Sequence, residues 1–341
     1  MNTLVMRFAA PGLFRLALAL LVFVHHVSRL NIGSAAVYIF FVLSGYWICT
    51  MWTVRYSKTR ASYLTYLISR TWRLLPVFML CSAITWVVLF SIGSIPNNIG
   101  SWFHQATSNL LLLGYNGLSF KPNVPSWSLD IEMQFYIVAP LLIILMSRSL
   151  WMLLACALLS FGAYLLNATV TVAPFLIFFA IGVAAGSSKW RPDPRLAWGS
   201  LGVTLALIAL CLAGPFKGVL LGGANPGPLF AYNGAASVVV GLMMAPWAIY
   251  TTGCKSPPSD RMYGDLSFIV YLLHWPVLRA ITRADSAYGD RFMAIGEALI
   301  VVMIGSWLIW RLFDHPINKL RSNWVAGRLA PSARPVLASA A

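Results

Sequence analysis

Long apolar runs, separated by short polar segments, repeat along the whole length of this chain. Most are near the roughly 20 residues that an α-helix needs to cross a bilayer. A shorter apolar piece, Leu110–Leu113, cannot cross and is predicted to be interfacial or re-entrant. The pattern therefore predicts an all-α, polytopic transmembrane bundle of about ten spans, at residues 14–31, 35–52, 74–93, 127–147, 150–168, 172–188, 198–214, 231–252, 264–282 and 293–312.

The composition agrees with this pattern. Hydrophobic residues make up 59% of the 341 residues and charged residues only 10%, whereas soluble domains carry far more charge. No long polar linker divides the chain, which predicts one integral-membrane domain at residues 1–322 and a disordered cytoplasmic tail at 323–341. The five cysteines are scattered without a CxxC pair, so neither disulfides nor a metal site is expected.

The net charge of +15 has two possible explanations. In a soluble protein it would indicate nucleic-acid binding, but Lys and Arg also accumulate in the cytoplasmic loops of membrane proteins. With the N-terminus inside, 18 of the 24 Lys and Arg residues fall in inner segments. Both termini are therefore predicted to be cytoplasmic, and the expected partner is the lipid bilayer rather than nucleic acid.

The first span carries a cation and two imidazoles. Arg15 and His26 are eleven residues apart, which places them about 20° apart around the helix axis and roughly 16 Å apart along it. His25 points about 80° away from Arg15 by the same geometry. One interpretation is an arginine that snorkels to the headgroups and a satisfied interior histidine. The other is a functional pair, since charge at such depth is costly in lipid.

A second basic site lies at the predicted inner end of the third span. Arg70 and Arg73 are three residues apart and so share a helix face. Together with Arg15 they suit a multiply phosphorylated ligand, because each guanidinium can bind a phosphate with two hydrogen bonds. Topology alone explains the cations at 55–60. No Walker or GxGxxG motif occurs, so a nucleoside triphosphate or dinucleotide is not indicated.

Acidic residues are scarce, and two of them open the fourth span. Asp130 is explained by a helix start capped by Ser126 or Ser128, where acids favour the positive end of the helix. Glu132 lies one turn into an apolar helix and needs a partner. His26 is at a matching depth, so the sequence predicts that these two side chains act together.

Other candidates have a structural alternative of equal or greater weight. His274 is either a site residue or a buried imidazole that bonds a carbonyl freed by Pro276. Asp314 is expected to mark a helix end and an inner-surface contact. Ser44 and Gly45 form either a nucleophile or a packing notch, and packing is favoured because no GxSxG signature surrounds Ser44.

Several motifs occur in order along the chain: Arg15 and His26, then VYIFFVLSGYWI, ISRTWRLLP, VPSWSLDIEMQFYIVAPLL, YGDLSFIVYLLHWPV and RLFDHP. In this order, from about Arg15 to Pro316, the chain resembles the membrane-bound acyltransferase-3 family, which O-acylates sugars in bacterial envelopes. The resemblance implies ten helices in the bacterial inner (cytoplasmic) membrane, with cytoplasmic termini. It also implies an acyl-CoA donor on the inner side and a hydroxyl acceptor on the outer side.

The resemblance also implies roles for individual residues. The family's first-span Arg and His fall on Arg15 and His26, and its paired arginines fall on Arg70 and Arg73. Its glutamate falls on Glu132, and its ninth-span His falls on His274. Trp127, in the same motif as Glu132, is a further candidate for a substrate or structural contact. Two features depart from the family pattern: His25 doubles the first-span histidine, and the closing motif, usually Glu-x-Pro, reads Asp314-His315-Pro316.

The resulting prediction is an O-acyltransferase, most simply an acetyltransferase, that acts on a polysaccharide or its lipid-linked precursor. Acetyl-CoA or another acyl-CoA is the co-substrate, and no permanently bound cofactor is expected. Arg15, Arg70 and Arg73 would bind the phosphates of coenzyme A. His26 would be a general base oriented by Glu132, or would carry the acyl group covalently. The alternative is a glycan transporter or flippase without chemistry, whose intramembrane charges line a substrate path. The oligomeric state stays open.

Overall fold

The computed structural model describes residues 9–223, 225–281 and 288–330. Its architecture is helical throughout these ranges, as the apolar pattern predicts. The helices in chain order are α1 Pro11–Val27, α2 Gly33–Val54, α3 Ser62–Ser91, α4 Trp102–Leu111, α5 Trp127–Arg148, α6 Trp151–Leu165, α7 Leu176–Ser188, α8 Pro194–Ala213, α9 Lys217–Leu220, α10 Asn233–Met243, α11 Ala245–Thr252, α12 Asp260–Ile281, α13 Tyr288–Ile309 and α14 His315–Gly327.

The protein is a multi-pass membrane protein. Every predicted span overlaps a helix, and the described part of the chain holds six helical stretches that are long and apolar enough to cross a bilayer: Gly33–Lys58, Ser62–Ser91, Val124–Arg148, Pro194–Ala213, Pro228–Thr252 and Phe292–Gly327. Three shorter apolar helices, α1, α6 and the Ala173–Ser188 stretch, accompany them. The full count of ten and the side on which the termini lie stay predictions.

Burial separates central from peripheral helices. In the most apolar windows of the α2 and α5 stretches 61% of the residues are buried, against 11% in α8 and 17% in the stretch that contains α13. The exposed side chains of α8 and α13 are nevertheless large and apolar, such as Leu210 and Ile304. An apolar helix with an apolar exposed face is suited to lipid rather than to water. The bundle therefore has α2 and α5 at its centre and α8 and α13 at its rim.

Small residues allow α2 and α7 to approach closely. A side chain at Gly45 would overlap the carbonyl of Phe179, and one at Gly182 would overlap the carbonyl of Val42. Glycines at such contacts let helix backbones touch, which is a common way to pack helices in membranes. Gly45 therefore faces α7, as the packing interpretation expects, and Ser44 beside it points elsewhere.

The first helix is tied to α12 by a carboxylate. Asp260 accepts hydrogen bonds from the backbone N–H groups of Gly12 and Leu13, each at 2.9 Å. Those N–H groups lie in the first turn of α1, where no helical carbonyl is available. Asp260 is 4% exposed, so this cap is buried where α1 and α12 meet.

Two segments differ from expectation or refine it. Residues 323–341 are predicted to be a disordered tail, but α14 continues to Gly327, because Val325 and Leu329 are buried. The rest of that tail, residues 331–341, lies outside the described residues. Leu110 and Leu111, from the short apolar piece, end α4, an amphipathic helix that buries Gln105 and exposes both leucines.

Candidate active site

A cavity of about 120 Å³ opens in the centre of the bundle, between α1, α2, α3, α5 and α12. Its polar lining brings together five residues that the sequence singles out: Arg15, Ser44, Arg70, Arg73 and Glu132. Its other lining is mostly apolar or aromatic: Val37, Phe40, Phe41, Trp47, Ile48, Leu74, Leu129, Tyr136, Phe268 and Tyr271, with Ser128 and Ser267. The site is therefore a mainly apolar chamber with a few charged groups.

Glu132 is held by two hydroxyl groups. Ser44 donates to its Oε1 at 2.6 Å, and Tyr136, one helical turn further along α5, donates to the same oxygen at 2.8 Å. Hydrogen bonds to a carboxylate are among the stronger ones in proteins. Ser44 thus anchors a carboxylate, and no hydrogen bond joins its hydroxyl to a described histidine or lysine that would activate it as a nucleophile. No ion pair or hydrogen bond joins Glu132 to His26 in the described structure, so their pairing stays a prediction.

Arg15 and Arg70 enter the cavity without an acidic partner among the described residues. The Arg15 guanidinium carbon lies 5.9 Å from the ring centroid of Phe40, and that of Arg70 lies 5.4 Å from the ring centroid of Tyr56. The Nε atoms of both arginines are buried without a hydrogen-bond partner. Glu132 lines the same cavity and attracts both guanidiniums, but it is not ion-paired to either. Cation–π contacts only partly replace hydration, and a buried charge without a close partner is costly. These two cations are suited to an anion brought by a ligand.

Arg73 differs from them because two carboxylates already bind it. Its Nη2 lies 2.7 Å from Asp265 Oδ1, and its Nη1 lies 2.9 Å from Asp314 Oδ1. The guanidinium joins α3 to α12 and to the end of the last span. Its expected role in phosphate binding stays a prediction, but its charge is neutralised before any ligand arrives.

The position of Asp314 corrects an expectation from the sequence. The residue does not mark a helix end at the surface: it is 2% exposed and closes a π-helical turn, Trp310–Asp314, between α13 and α14. Proline at 316 cannot donate a backbone hydrogen bond, and its ring crowds the preceding turn. A wider turn accommodates that residue, and Asp314 lies buried against Arg73.

The histidines lie beyond the cavity, next to each other. The rings of His26 and His274 stack with centroids 5.3 Å apart, and Trp275 contacts His26 edge-on at 5.2 Å. His274 is fully buried, with Nδ1 3.1 Å from the carbonyl of Val270 and Nε2 without a partner. A carbonyl only accepts, so Nδ1 is the donor, and in the neutral imidazole Nε2 carries the lone pair.

The structure also corrects the structural alternative for His274, a bond to the carbonyl that Pro276 frees. Pro276 frees the carbonyl of Leu272, four residues earlier, but the amide of Asn123 donates to that oxygen at 3.0 Å. His274 binds the carbonyl of Val270 instead, within its own turn. The imidazole is therefore not needed to satisfy the proline break.

His25 lies next to this pair, against the start of α2. A side chain at Gly33 would lie 2.7 Å from the His25 ring, which therefore covers the start of α2. Its ring centroid is 4.7 Å from that of His26, but it does not stack on His274. The two half-buried histidines thus have different neighbours: His26 stacks on His274, and His25 packs on the α1–α2 connection. The preference for His26 over His25 stays a prediction.

An aromatic layer lies between the cavity and the stacked histidines. Tyr271 and Phe40 line the cavity, with ring centroids 6.2 Å apart, and the Tyr271 ring is also 6.2 Å from His274. The Tyr271 hydroxyl donates to the carbonyl of Pro125 at 2.8 Å and lies 2.7 Å from Ser128 Oγ. The layer is thereby fixed to the start of α5.

The remaining sequence candidates, Asp130 and Trp127, contact the structure around the cavity and do not line it. Asp130 is fully buried and accepts from the backbone of Asn116 at 2.8 Å and of Gly114 at 3.3 Å, so it organises the preceding loop. The expected cap of the helix is absent: Ser126 Oγ has no hydrogen-bond partner, and Ser128 Oγ bonds the carbonyl of Pro125 and the hydroxyl of Tyr271 instead. Trp127 packs against Phe41 and Phe175, with ring centroids 6.3 and 5.4 Å away. It supports the cavity wall from behind.

Sequence reasoning missed some residues of the site. Asp265 lies within the motif YGDLSFIVYLLHWPV but is not among the predicted site residues, although a carboxylate inside an apolar helix indicates a buried cation nearby. Tyr136 lies four residues after Glu132, the spacing at which helical side chains meet. Tyr271 carried no comparable signal, because its place in the aromatic layer depends on how helices distant in sequence pack together.

The helical membrane bundle and its charged inner chamber indicate a membrane-embedded enzyme rather than a soluble one. A family model described as an acyltransferase domain matches residues 8–311. The chain therefore belongs to the acyltransferase-3 family.

Two known proteins are similar over most of their length. The acyltransferase MdmB of Streptomyces mycarofaciens is 28% identical over 302 residues, which cover 79% of this chain and 71% of that protein. Nodulation protein 10 of Rhizobium leguminosarum bv. viciae is 25% identical over 352 residues, covering 89% and 87%. No solved structure matches the chain.

Proposed function

We propose that this protein is an acyl-CoA-dependent O-acyltransferase of the bacterial inner membrane. It moves an acyl group, most simply acetyl, from a cytoplasmic donor to a hydroxyl of an envelope or exported polysaccharide, or of its lipid-linked precursor. Membership of the acyltransferase family supports acyl transfer. The donor, the acceptor and the membrane are the proposed part.

The observation that carries the proposal is the pair of arginines in the cavity to which no described carboxylate is ion-paired. Arg15 and Arg70 are suited to the phosphates of coenzyme A, because a guanidinium binds phosphate through two parallel hydrogen bonds. The apolar walls suit an acyl-pantetheine arm. Glu132, fixed by two hydroxyls, would accept an amide N–H from that arm.

The proposed reaction exchanges a thioester for an oxygen ester. The acceptor hydroxyl attacks the thioester carbonyl, the C–S bond breaks, and coenzyme A leaves as the thiol. His26 would take the hydroxyl proton and return it to the departing sulfur, as histidines do in other acyl transfers. His274 would hold the ring of His26 by stacking. In the second route His26 itself carries the acyl group before the acceptor receives it.

The test is a transfer assay with purified protein and acetyl-CoA labelled in the acetyl group. Incubation with candidate glycans should give labelled glycan, and mild alkali should release the label because oxygen esters hydrolyse readily. His26→Ala should give no labelled glycan, and Trp151→Ala, an exposed change on α6 away from the cavity, should behave as wild type. Glycan that crosses a vesicle membrane without gaining label would contradict the proposal and favour the transporter.

A further inference from the structure

A second group of arginines lies next to the cavity, at the end predicted to face the cytoplasm. Arg55 follows α2, Arg70 lies on α3 and Arg321 lies on α14. They surround Tyr56 and Ser69, both of which are buried. We call these five residues the inner arginine cluster. Arg70 belongs both to this cluster and to the cavity lining.

Ser69 and Tyr56 connect the cluster. Arg321 donates from Nη1 to Ser69 Oγ at 3.0 Å, and the Tyr56 hydroxyl lies 2.9 Å from the same oxygen. The Arg70 guanidinium lies over the Tyr56 ring, 5.4 Å from its centroid. One fully buried hydroxyl thus joins a residue of the last helix to the wall of the cavity.

Every acceptor in the cluster is neutral. Arg55 Nη2 donates to the backbone carbonyl of Ser322 at 3.0 Å, and Arg321 Nε donates to Asn318 Oδ1 at 3.2 Å. Both ion pairs in the described part of the chain belong to Arg73. No described carboxylate is ion-paired to the cluster: Glu132 acts on Arg70 and Asp314 acts on Arg321 only from beyond ion-pair distance. A bound phosphate in direct contact would offset the mutual repulsion of these cations more strongly.

We propose that the inner arginine cluster binds a phosphate monoester, the 3′-phosphate on the ribose of coenzyme A, with Arg321 as its main ligand. The inference rests on the proposed function. Arg70 would contact the donor where its two parts meet. The acyl-pantetheine arm of the donor would extend from Arg70 into the cavity, and the nucleotide of the donor would extend from Arg70 over the cluster. The helix α14, which follows the last span, then forms part of the donor site.

The experiment compares coenzyme A with 3′-dephospho-coenzyme A, which lacks only that phosphate. Binding to the purified full chain is measured by calorimetry in nanodiscs of phosphatidylcholine. The wild-type protein should bind coenzyme A at least about tenfold more tightly than 3′-dephospho-coenzyme A. This is the effect of losing a charged hydrogen bond worth about 1.5–3 kcal/mol. Arg321→Gln should lose this preference and keep its affinity for the dephospho compound.

Matched variants separate charge from fold. Lys319→Gln removes the same charge from the exposed face of the same helix and should keep the full preference. Arg321→Lys keeps the charge without the planar guanidinium and should keep part of the preference. If Arg321→Gln does not accumulate, Arg321→Lys takes its place in the comparison, and a full wild-type preference in that variant would contradict Arg321 as the main ligand.

Other results would overturn the proposal in distinguishable ways. Equal wild-type affinity for both compounds would exclude a 3′-phosphate site. An Arg321→Gln variant that weakens both compounds equally would give Arg321 a general structural role. If the preference disappears when phosphatidylglycerol replaces phosphatidylcholine, the cluster binds a lipid headgroup instead. If wild type binds neither compound, the proposed acyl-CoA donor fails, and with it the basis of this inference.

Discussion

The carboxylates around Arg73 allow its role to be separated from that of Arg70. Arg73→Gln would leave Asp265 and Asp314 without their cation, and Asp314 is buried. Removing one member of a buried ion pair typically costs about 3–5 kcal/mol. The side chains of Arg73 and Asp265 are 17% and 23% exposed, so the Asp265 contact contributes less and the total should lie near 3 kcal/mol.

Arg70→Gln is the matched control, since it removes the same charge three residues away on the same helix. Arg70 has no carboxylate partner among the described residues, so this variant should lose little stability and much of its affinity for coenzyme A. Arg73→Gln should show the opposite pattern: a clearly lower unfolding temperature and a smaller change in affinity. Thermal unfolding in detergent and calorimetric binding measure the two effects on the same preparations.

A second substitution that removes the opposite charge tests whether the unpaired buried anion causes the loss of stability. Arg73→Gln combined with Asp314→Asn removes the cation and the buried anion together, and should recover part of the lost stability. A double variant less stable than Arg73→Gln, or an Arg73→Gln protein with wild-type stability and lost donor affinity, would refute the structural role of Arg73.

The other predictions follow from single contacts. His26→Ala should abolish transfer to the glycan while donor binding and stability stay near wild type, and His25→Ala should reduce transfer less. The labelled-acetyl assay measures transfer by both variants, and the reverse ranking would contradict the helical-phase argument. Asp260→Ala should lower the free energy of unfolding by about 1–2 kcal/mol, the usual effect of losing a helix cap, whereas an unchanged denaturation midpoint would show that the cap is dispensable. In oriented vesicles, acyl-CoA supplied on the face that carries the termini should give product on the opposite face. Product that forms only when donor and acceptor share one face would exclude transfer across the membrane.

The positions of the helices could be predicted from sequence because they depend on local properties. A run of apolar residues long enough to cross a bilayer forms a helix, since lipid offers the backbone no hydrogen-bond partners. The angle between Arg15 and His26 is likewise fixed within one helix. The neighbours of the two histidines accordingly differ: His26 stacks on His274, and His25 packs at the start of α2.

Contacts between helices could not be predicted in the same way. The predicted pairing of His26 with Glu132 rests on equal depth, but depth does not fix the direction in which a side chain points around the bundle. In the structure Glu132 accepts from the hydroxyls of Ser44 and Tyr136, and its action together with His26 stays a prediction. Ser44 is 88 residues away in sequence, and only the packing of α2 against α5 brings it there.

The same limit explains why Asp314 was expected at the surface. Its closing motif reads as a helix end, because proline follows two residues later. Arg73, its partner, is 241 residues away, and nothing near Asp314 in the sequence indicates a cation. The neighbouring Asp265 carried more information, since an acid within an apolar span requires a partner.

The cap that Asp260 supplies to α1 has a consequence for how the protein is made. Asp260 and Gly12 are 248 residues apart, and ribosomes add roughly 5–20 residues per second. The first helix therefore exists for about 12–50 s before its capping residue has been synthesised. Through that interval its first N–H groups must bond water or lipid headgroups, and α1 reaches its final position only when α12 enters the membrane. Biogenesis of the bundle thus ends with the closure of its earliest helix by one of its latest.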